Sequence, residues 1–214
     1  MVVSENEVYQ IIKKSCISEN IYEDRAEDIG KAISFLHTNY INGCAEFKQL
    51  ISNPNAKKNI SLKKEKNSLI TNNLSPIENG IPIIDWLLSG QNKEARIINQ
   101  IMSPLIFFAL LAKNILNYGG KFQISDEKQN IIFIIDENFK FPKINLLTGY
   151  FIITWSKINL TFQPNKTNYK MHNVDLATWK YLQKKAFLTI LWLMVYNFRS
   201  SWFLLWLFFD TITI

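Results

Sequence analysis

The chain has 214 residues, is 48% hydrophobic and 20% charged, and carries a formal net charge of +6. That is a one-domain length, able to bury roughly 70% of its unfolded surface without a disulfide or a metal. This composition, with a mean hydropathy of -0.02, excludes a disordered chain, a collagen, a coiled coil and a multi-span membrane protein.

In chain order, Ser4-Glu5-Asn6-Glu7 has the pattern of a capping box, with serine before the first turn and glutamate three residues on. It predicts a first helix with Val8, Ile11, Ile12 and Cys16 on one face. A second helix is expected from Tyr22 to Asn39, with a stripe of Ala26, Ile29, Ala32, Ile33 and Leu36. Gly43 marks a turn into a short third helix presenting Cys44, Phe47, Leu50 and Ile51. Residues 52–80 then read as a mobile Lys/Asn-rich surface loop, because Lys57, Lys58, Lys63, Lys64 and Lys66 crowd together with few apolar residues between. The functional alternative for these lysines is a patch for phosphate or anionic lipid.

Ile83, Ile84, Leu87 and Leu88 resume a helical pattern closed by Gly90, and 93–118 reads as mostly helical, broken at Pro104 with Ser103 as a new N-cap. Residues 105–116 are apolar nearly all round. They are too few to span a bilayer and include Lys113, so a buried core helix is expected. After Gly119-Gly120 the pattern turns to strands. One hairpin pairs 121–125 with 130–136, and a second pairs 150–155 with 158–163. Asn173 is expected to cap a last helix starting near Val174. Helices first and strands after predict an α+β fold, a helical N-terminal half packed on an antiparallel sheet over roughly 121–163. The organisation is a single α+β domain over 1–185, followed by an apolar Trp/Leu-rich tail at 186–214.

Four readings compete for that tail. It is long enough for a transmembrane or interfacial anchor over 186–209, although Arg199 would fall near the middle at about 2.5–3.5 kcal/mol on the insertion scale. It could instead form two half-length core segments turning at 197–201, a partner-binding element, or the product of a frame change near Thr189.

Arginine occurs only at Arg25, Arg96 and Arg199. Nucleic-acid surfaces favour arginine for bidentate contacts and aromatics for stacking, so the lysine excess argues against a nucleic-acid partner. Cys16 and Cys44 lie far apart without a metal-ligand spacing, and the residues assign no metal site. The polar, acidic N-terminus lacks a signal-peptide pattern, which favours a cytoplasmic protein over a secreted one.

Three residues are singled out as binding candidates. Glu27 belongs to the run Glu23, Asp24, Glu27 and Asp28, whose members four apart share a helix face and could hold a hard cation or act as acid and base. The plainer role of those acids is to offset the positive end of a helix, at about 0.3–1 kcal/mol each. Asn6 and Glu7 form the second candidate pair, and Glu7 would approach Glu27 if the first two helices pack side by side. His37 reads as a partly exposed structural residue, and the sequence offers it no catalytic partner.

The stretch Ser4-Glu5-Asn6-Glu7, then Arg25-Ala26-Glu27, Gly43 and Ser103-Pro104-Leu105, resembles an uncharacterised bacterial family called domain of unknown function 3726. The resemblance covers most of residues 1–186. It implies a similar run of helices and strands but brings no established activity. Members of that family tend to end in a Gly/Ser-rich segment with acidic residues, from which this tail departs. The opening is also similar to the helical start of malate/lactate-type dehydrogenases, but the chain has no GxGxxG and no phosphate loop.

The leading expectation is therefore a bacterial, cytoplasmic accessory domain that binds a small molecule or a protein partner between its helical layer and its sheet. One alternative is an enzyme using Glu7 and Glu27 as paired carboxylates, with or without a divalent metal. The other is a protein held at a membrane through 186–209. No cofactor is specified.

Overall fold

A computed structural model of the chain describes residues 1–39, 41–56, 61–90, 92–142, 147–157 and 172–191. The fold is α+β: a layer of helices packed on a mixed sheet. Strand β1 (Val2–Val3) leads into α1 (Glu5–Ser18), α2 (Glu23–Thr38) and α3 (Gly43–Ser52). The capping box at the start of α1 is formed in full. The Ser4 amide and hydroxyl donate to Glu7 Oε2 at 2.7 and 2.8 Å, and the Glu7 amide donates to Ser4 Oγ at 3.2 Å. The expected stripes are buried, including Val8, Ile12 and Cys16 on α1 and Ala26, Ile29, Ile33 and Leu36 on α2.

Residues 63–80 of the stretch expected to be a mobile loop form regular structure, which corrects that expectation for them, while 57–60 lie outside the described residues. It holds strands β2 (Lys63–Glu65) and β3 (Ser68–Leu74), followed by a π-helical turn at Pro76–Gly80. The physical reason is hydrogen bonding rather than apolar content. Strand β3 pairs antiparallel with β2 and parallel with β4 (Glu94–Ile101), so its backbone is satisfied on both sides. Buried Asn79 secures the irregular end of β3. Its Oδ1 accepts from the Ser75 amide at 2.7 Å, and its Nδ2 donates to Thr71 Oγ1 at 3.1 Å and to the Asn73 carbonyl at 2.9 Å.

Strand β4 is the second correction, since 94–101 lies in a stretch expected to be helical. Ala95, Ile97 and Ile101 are buried. The alternation of Glu94, Ala95, Arg96 and Ile97 fits a strand with one covered face better than a helical stripe. Between β3 and β4 the chain crosses through α4 (Ile81–Leu88). The sheet therefore contains one parallel βαβ unit and is mixed, not wholly antiparallel as expected.

After β4, α5 (Pro104–Tyr118) begins at Pro104 as anticipated, although Ser103 is left-handed at φ 44° and makes no side-chain cap. The hairpin of β5 (Lys121–Ser125) and β6 (Ile131–Ile135) is present. Then come β7 (Leu147–Thr148), β8 (Phe151–Ser156) and β9 (His172–Asn173). The strand expected at 158–163 lies outside the described residues. The sheet order is β2-β3-β4-β8-β5-β6, with β7 also pairing β4, and β1 pairs separately with β9. A last helix, α6, is described over residues 176–191. Asp175 rather than Asn173 serves its first turn, with the Thr178 amide donating to Asp175 Oδ2 at 2.8 Å. Asn173 instead pairs with Val2 in the two-stranded sheet.

The register puts Phe122, Ile124, Ile135, Ile153, Ala95 and Ile97 on one face, where they are buried under the helices. Helix α5 lies at the centre of this contact, with Leu105 through Ala112 buried on every side. Phe108 meets Phe133 on β6 at 5.2 Å between ring centroids and Phe139 at 5.8 Å; Phe139 meets Phe141, which in turn meets Phe35 on α2. Helix α6 is tied to α1 by Ser15 Oγ donating to the Leu182 carbonyl, Thr189 Oγ1 donating to the Lys14 carbonyl, and a Lys185–Glu19 ion pair.

Residues 186–191 of the apolar tail thus continue α6, and 192–214 lie outside the described residues. No helix among the described residues is long and apolar enough to cross a membrane.

Replacing a fully buried phenylalanine by alanine costs about 3–5 kcal/mol. Phe108→Ala is expected to lower the unfolding free energy by that amount in urea titrations, because it empties the contact between α5 and β6. A loss below about 1 kcal/mol would contradict this packing.

Candidate functional site

Asn6, Glu7 and Glu27 do not converge. Asn6 and Glu7 are exposed at the first turn of α1, where Glu7 is committed to Ser4. Those hydrogen bonds hold the Glu7 carboxyl below its ordinary pKa. Glu27 lies on α2 beside Lys31 at 2.7 Å and Lys13 at 3.9 Å, and Lys31 holds its pKa down. Glu23 pairs with the same Lys13 at 3.0 Å. Glu23 and Glu27 are thus neutralised by lysines, and Glu7 is held in the helix cap. Among the described residues there is no group of three or more His, Cys, Asp or Glu side chains arranged to hold a metal. His37 is 2% exposed, so it is a buried residue rather than a partly exposed one. Cys44 is also buried, which pushes its thiol up to about 12 and leaves it inert at neutral pH.

A different place in the fold has the character of a site. A cleft of about 330 Å³ opens between the end of α4, the end of α5 and the end of β8. Its lining is Asp85, Leu88, Ser89, Tyr118, Trp155 and Lys157. Leu88 and Trp155 are the more covered members, while Asp85, Ser89, Tyr118 and Lys157 are exposed at the rim. The volume is at the lower end of the roughly 300–1,000 Å³ range of small-molecule sites.

The chain builds this cleft by local rules. Helix α5 ends at Gly119 with φ 70°, and Gly120 follows at φ 89°. Both are left-handed, which glycine adopts without strain. Gly120 also allows a close approach: a Cβ there would lie 2.6 Å from the Ser156 carbonyl oxygen and 2.8 Å from Trp155 Nε1. The absence of that methyl lets the indole lie against the turn. In the β5–β8 register Trp155 pairs with Phe122, so its ring is on the helix-covered face.

The cleft's polar groups are under-used. Trp155 Nε1 is a buried donor with no hydrogen-bond partner among the described residues, and such a group ordinarily costs about 1–3 kcal/mol. Burial raises the pKa of the Asp85 carboxyl. Among the described residues, the side chain of Ser89 is the engaged member of the rim: its hydroxyl donates to the Trp86 carbonyl and accepts from Lys93 Nζ at 2.6 Å. Lys93 also lies 4.1 Å from the centre of the Trp86 ring, and Lys64 lies 4.9 Å from it. Two lysines near the expected loop thus decorate the outer side of α4.

The sequence pattern does not mark these residues. Asp85 is an ordinary polar position opposite the apolar stripe of α4, and Tyr118 and Lys157 lie at element ends. The legible signal is Gly119-Gly120 with a tryptophan on a nearby strand, but only the β5–β8 pairing brings the two together.

No family model matches the chain, and no curated protein matches it. Among solved structures, malate dehydrogenase from Entamoeba histolytica is similar at 12% sequence identity and a TM-score of 0.42, over 70% of this chain and 49% of that one. The chain spans about half the length of that structure.

Asp28 links this region to α2. Burial raises its pKa, Lys31 opposes that, and the charges of Glu27, Asp85 and Asp24 raise it further. Half-buried Lys113 of α5 is a further cation within its influence. A carboxyl whose folded pKa is raised binds a proton more readily when folded, so stability increases as pH falls through that pKa. Asp28→Asn is therefore expected to raise the thermal midpoint at pH 7, with the gain shrinking toward about pH 3, where the wild-type carboxyl is protonated. A variant less stable than wild type at pH 7 would contradict it.

Proposed function

We propose that this chain is a small-molecule-binding accessory domain, with its ligand in the cleft between the helical layer and the sheet. The observation that carries this reading is a concave surface on which the Trp155 indole and Leu88 stand beside a carboxylate, a phenol and an ammonium group. An apolar floor with a few converging polar groups is the usual make-up of a ligand site. Membership of the bacterial family that the opening resembles, and a cytoplasmic location, belong to the same proposal.

The test is a fragment screen by thermal shift on the full chain, repeated on Ser89→Trp, which fills the cleft from its exposed rim. A ligand present at one hundred times its Kd stabilises by about 2.7 kcal/mol. Fragments that raise the midpoint of the wild type and leave Ser89→Trp unmoved are the expected result. A screen without hits, or hits equal in both proteins, would overturn the proposal.

A further inference from the structure

The two rim charges of the cleft have opposite sign and stand on different elements. Asp85 is on α4, and Lys157 follows β8 directly. Among the described residues, the side chain of neither has an ion-pair or hydrogen-bond partner, and the two do not pair with each other. The same cleft is lined by Leu88, Trp155 and Tyr118. From this arrangement we propose that the cleft binds a small zwitterion of the α-amino-acid type, its ammonium at Asp85, its carboxylate at Lys157 and its side chain against Trp155. The inference rests on the small-molecule reading above and names the ligand class for it.

Two further features favour this polarity. The last turn of α4 presents its carbonyl end near Asp85 and Ser89, where the helix carries partial negative charge and favours a cation. Asp28 lies within electrostatic reach of Asp85, and a ligand ammonium would relieve the repulsion between these two carboxylates. An anion without an amine would leave Asp85 unanswered, and an amine without a carboxylate would leave Lys157 unanswered. The indole face and Leu88 suit an aromatic or branched side chain, which an aromatic partner meets by stacking or edge contact.

The test uses four probes of one shape with the full chain: L-phenylalanine, 3-phenylpropionate, 2-phenylethylamine and 3-phenyl-1-propanol. Binding is read by tryptophan fluorescence, with Trp155→Phe identifying the responding residue. Rim charges in partial contact with water contribute modestly, so L-phenylalanine is expected to bind about fivefold tighter than either singly charged probe. Asp85→Asn is expected to weaken L-phenylalanine and 2-phenylethylamine and to leave 3-phenylpropionate unchanged. Lys157→Met is expected to weaken L-phenylalanine and 3-phenylpropionate and to leave 2-phenylethylamine unchanged.

If the acid, the amine or the alcohol binds as tightly as L-phenylalanine, the zwitterion assignment fails and the small-molecule reading stands. If none of the four perturbs Trp155, the assignment fails, and the fragment screen then decides the broader reading by itself.

Discussion

The burial of α5 governs the rest of the molecule. A helix apolar on nearly all sides cannot face water anywhere along its length, so it needs neighbours on every side. The chain supplies α2 and α3 on one side and the mixed sheet on the other. Leu105 through Ala112 are buried in consequence. The polar exception, Lys113, is half-buried; burial lowers its pKa, and its ammonium lies 5.9 Å from the Phe35 ring centre. The chain of rings from Phe133 through Phe108, Phe139 and Phe141 to Phe35 joins sheet to helical layer across this element.

The cleft follows from how α5 ends. A helix wrapped on all sides must leave the core without a bulky turn, and Gly119-Gly120 provides one. The second glycine admits the Trp155 indole to the space where another residue would put its Cβ. Helix α4, held over the sheet by Trp86 Nε1 donating to the Glu94 carbonyl at 3.3 Å, closes the third side. Core packing thus generates the cleft, and the polar groups at the ends of α4, α5 and β8 give it chemical character. Catalysis by a carboxylate pair finds no comparable support in the geometry of Glu7 and Glu27, which serve a helix cap and an ion-pair cluster.

Much of the helical layer is readable from residues alone. The Ser4–Glu7 box, the stripes of α1 and α2, and the apolar belt of α5 depend on contacts within one helix or on a strong periodicity, and each survives in the fold. The β5–β6 hairpin is legible for the same reason, since its strands are joined by a short turn. Strands β3 and β4 are not. The parallel pairing that satisfies their backbones comes from residues some 26 positions apart, as in Ser68 with Glu94, and their side chains include asparagine, glutamine and arginine that resemble a loop or a helix surface. Asn79, which completes the end of β3, is indistinguishable by composition from the abundant asparagines around it. The site is hidden in the same way: its residues come from three elements that only the tertiary fold assembles, whereas Glu23 and Glu27 of the acid run in α2 are conspicuous in sequence and paired with lysines in space.

The central claim is that the Trp155 indole walls a ligand cleft while its N–H is packed away from water against Gly120. A nitrogen-15 tryptophan-labelled sample of the full chain, with Trp155→Phe assigning the signal, tests it directly through proton exchange with water. The account predicts an indole proton that exchanges slowly in the free protein and whose resonance moves when L-phenylalanine is added. Rapid exchange in the free protein, with a resonance indifferent to the probe, would contradict it.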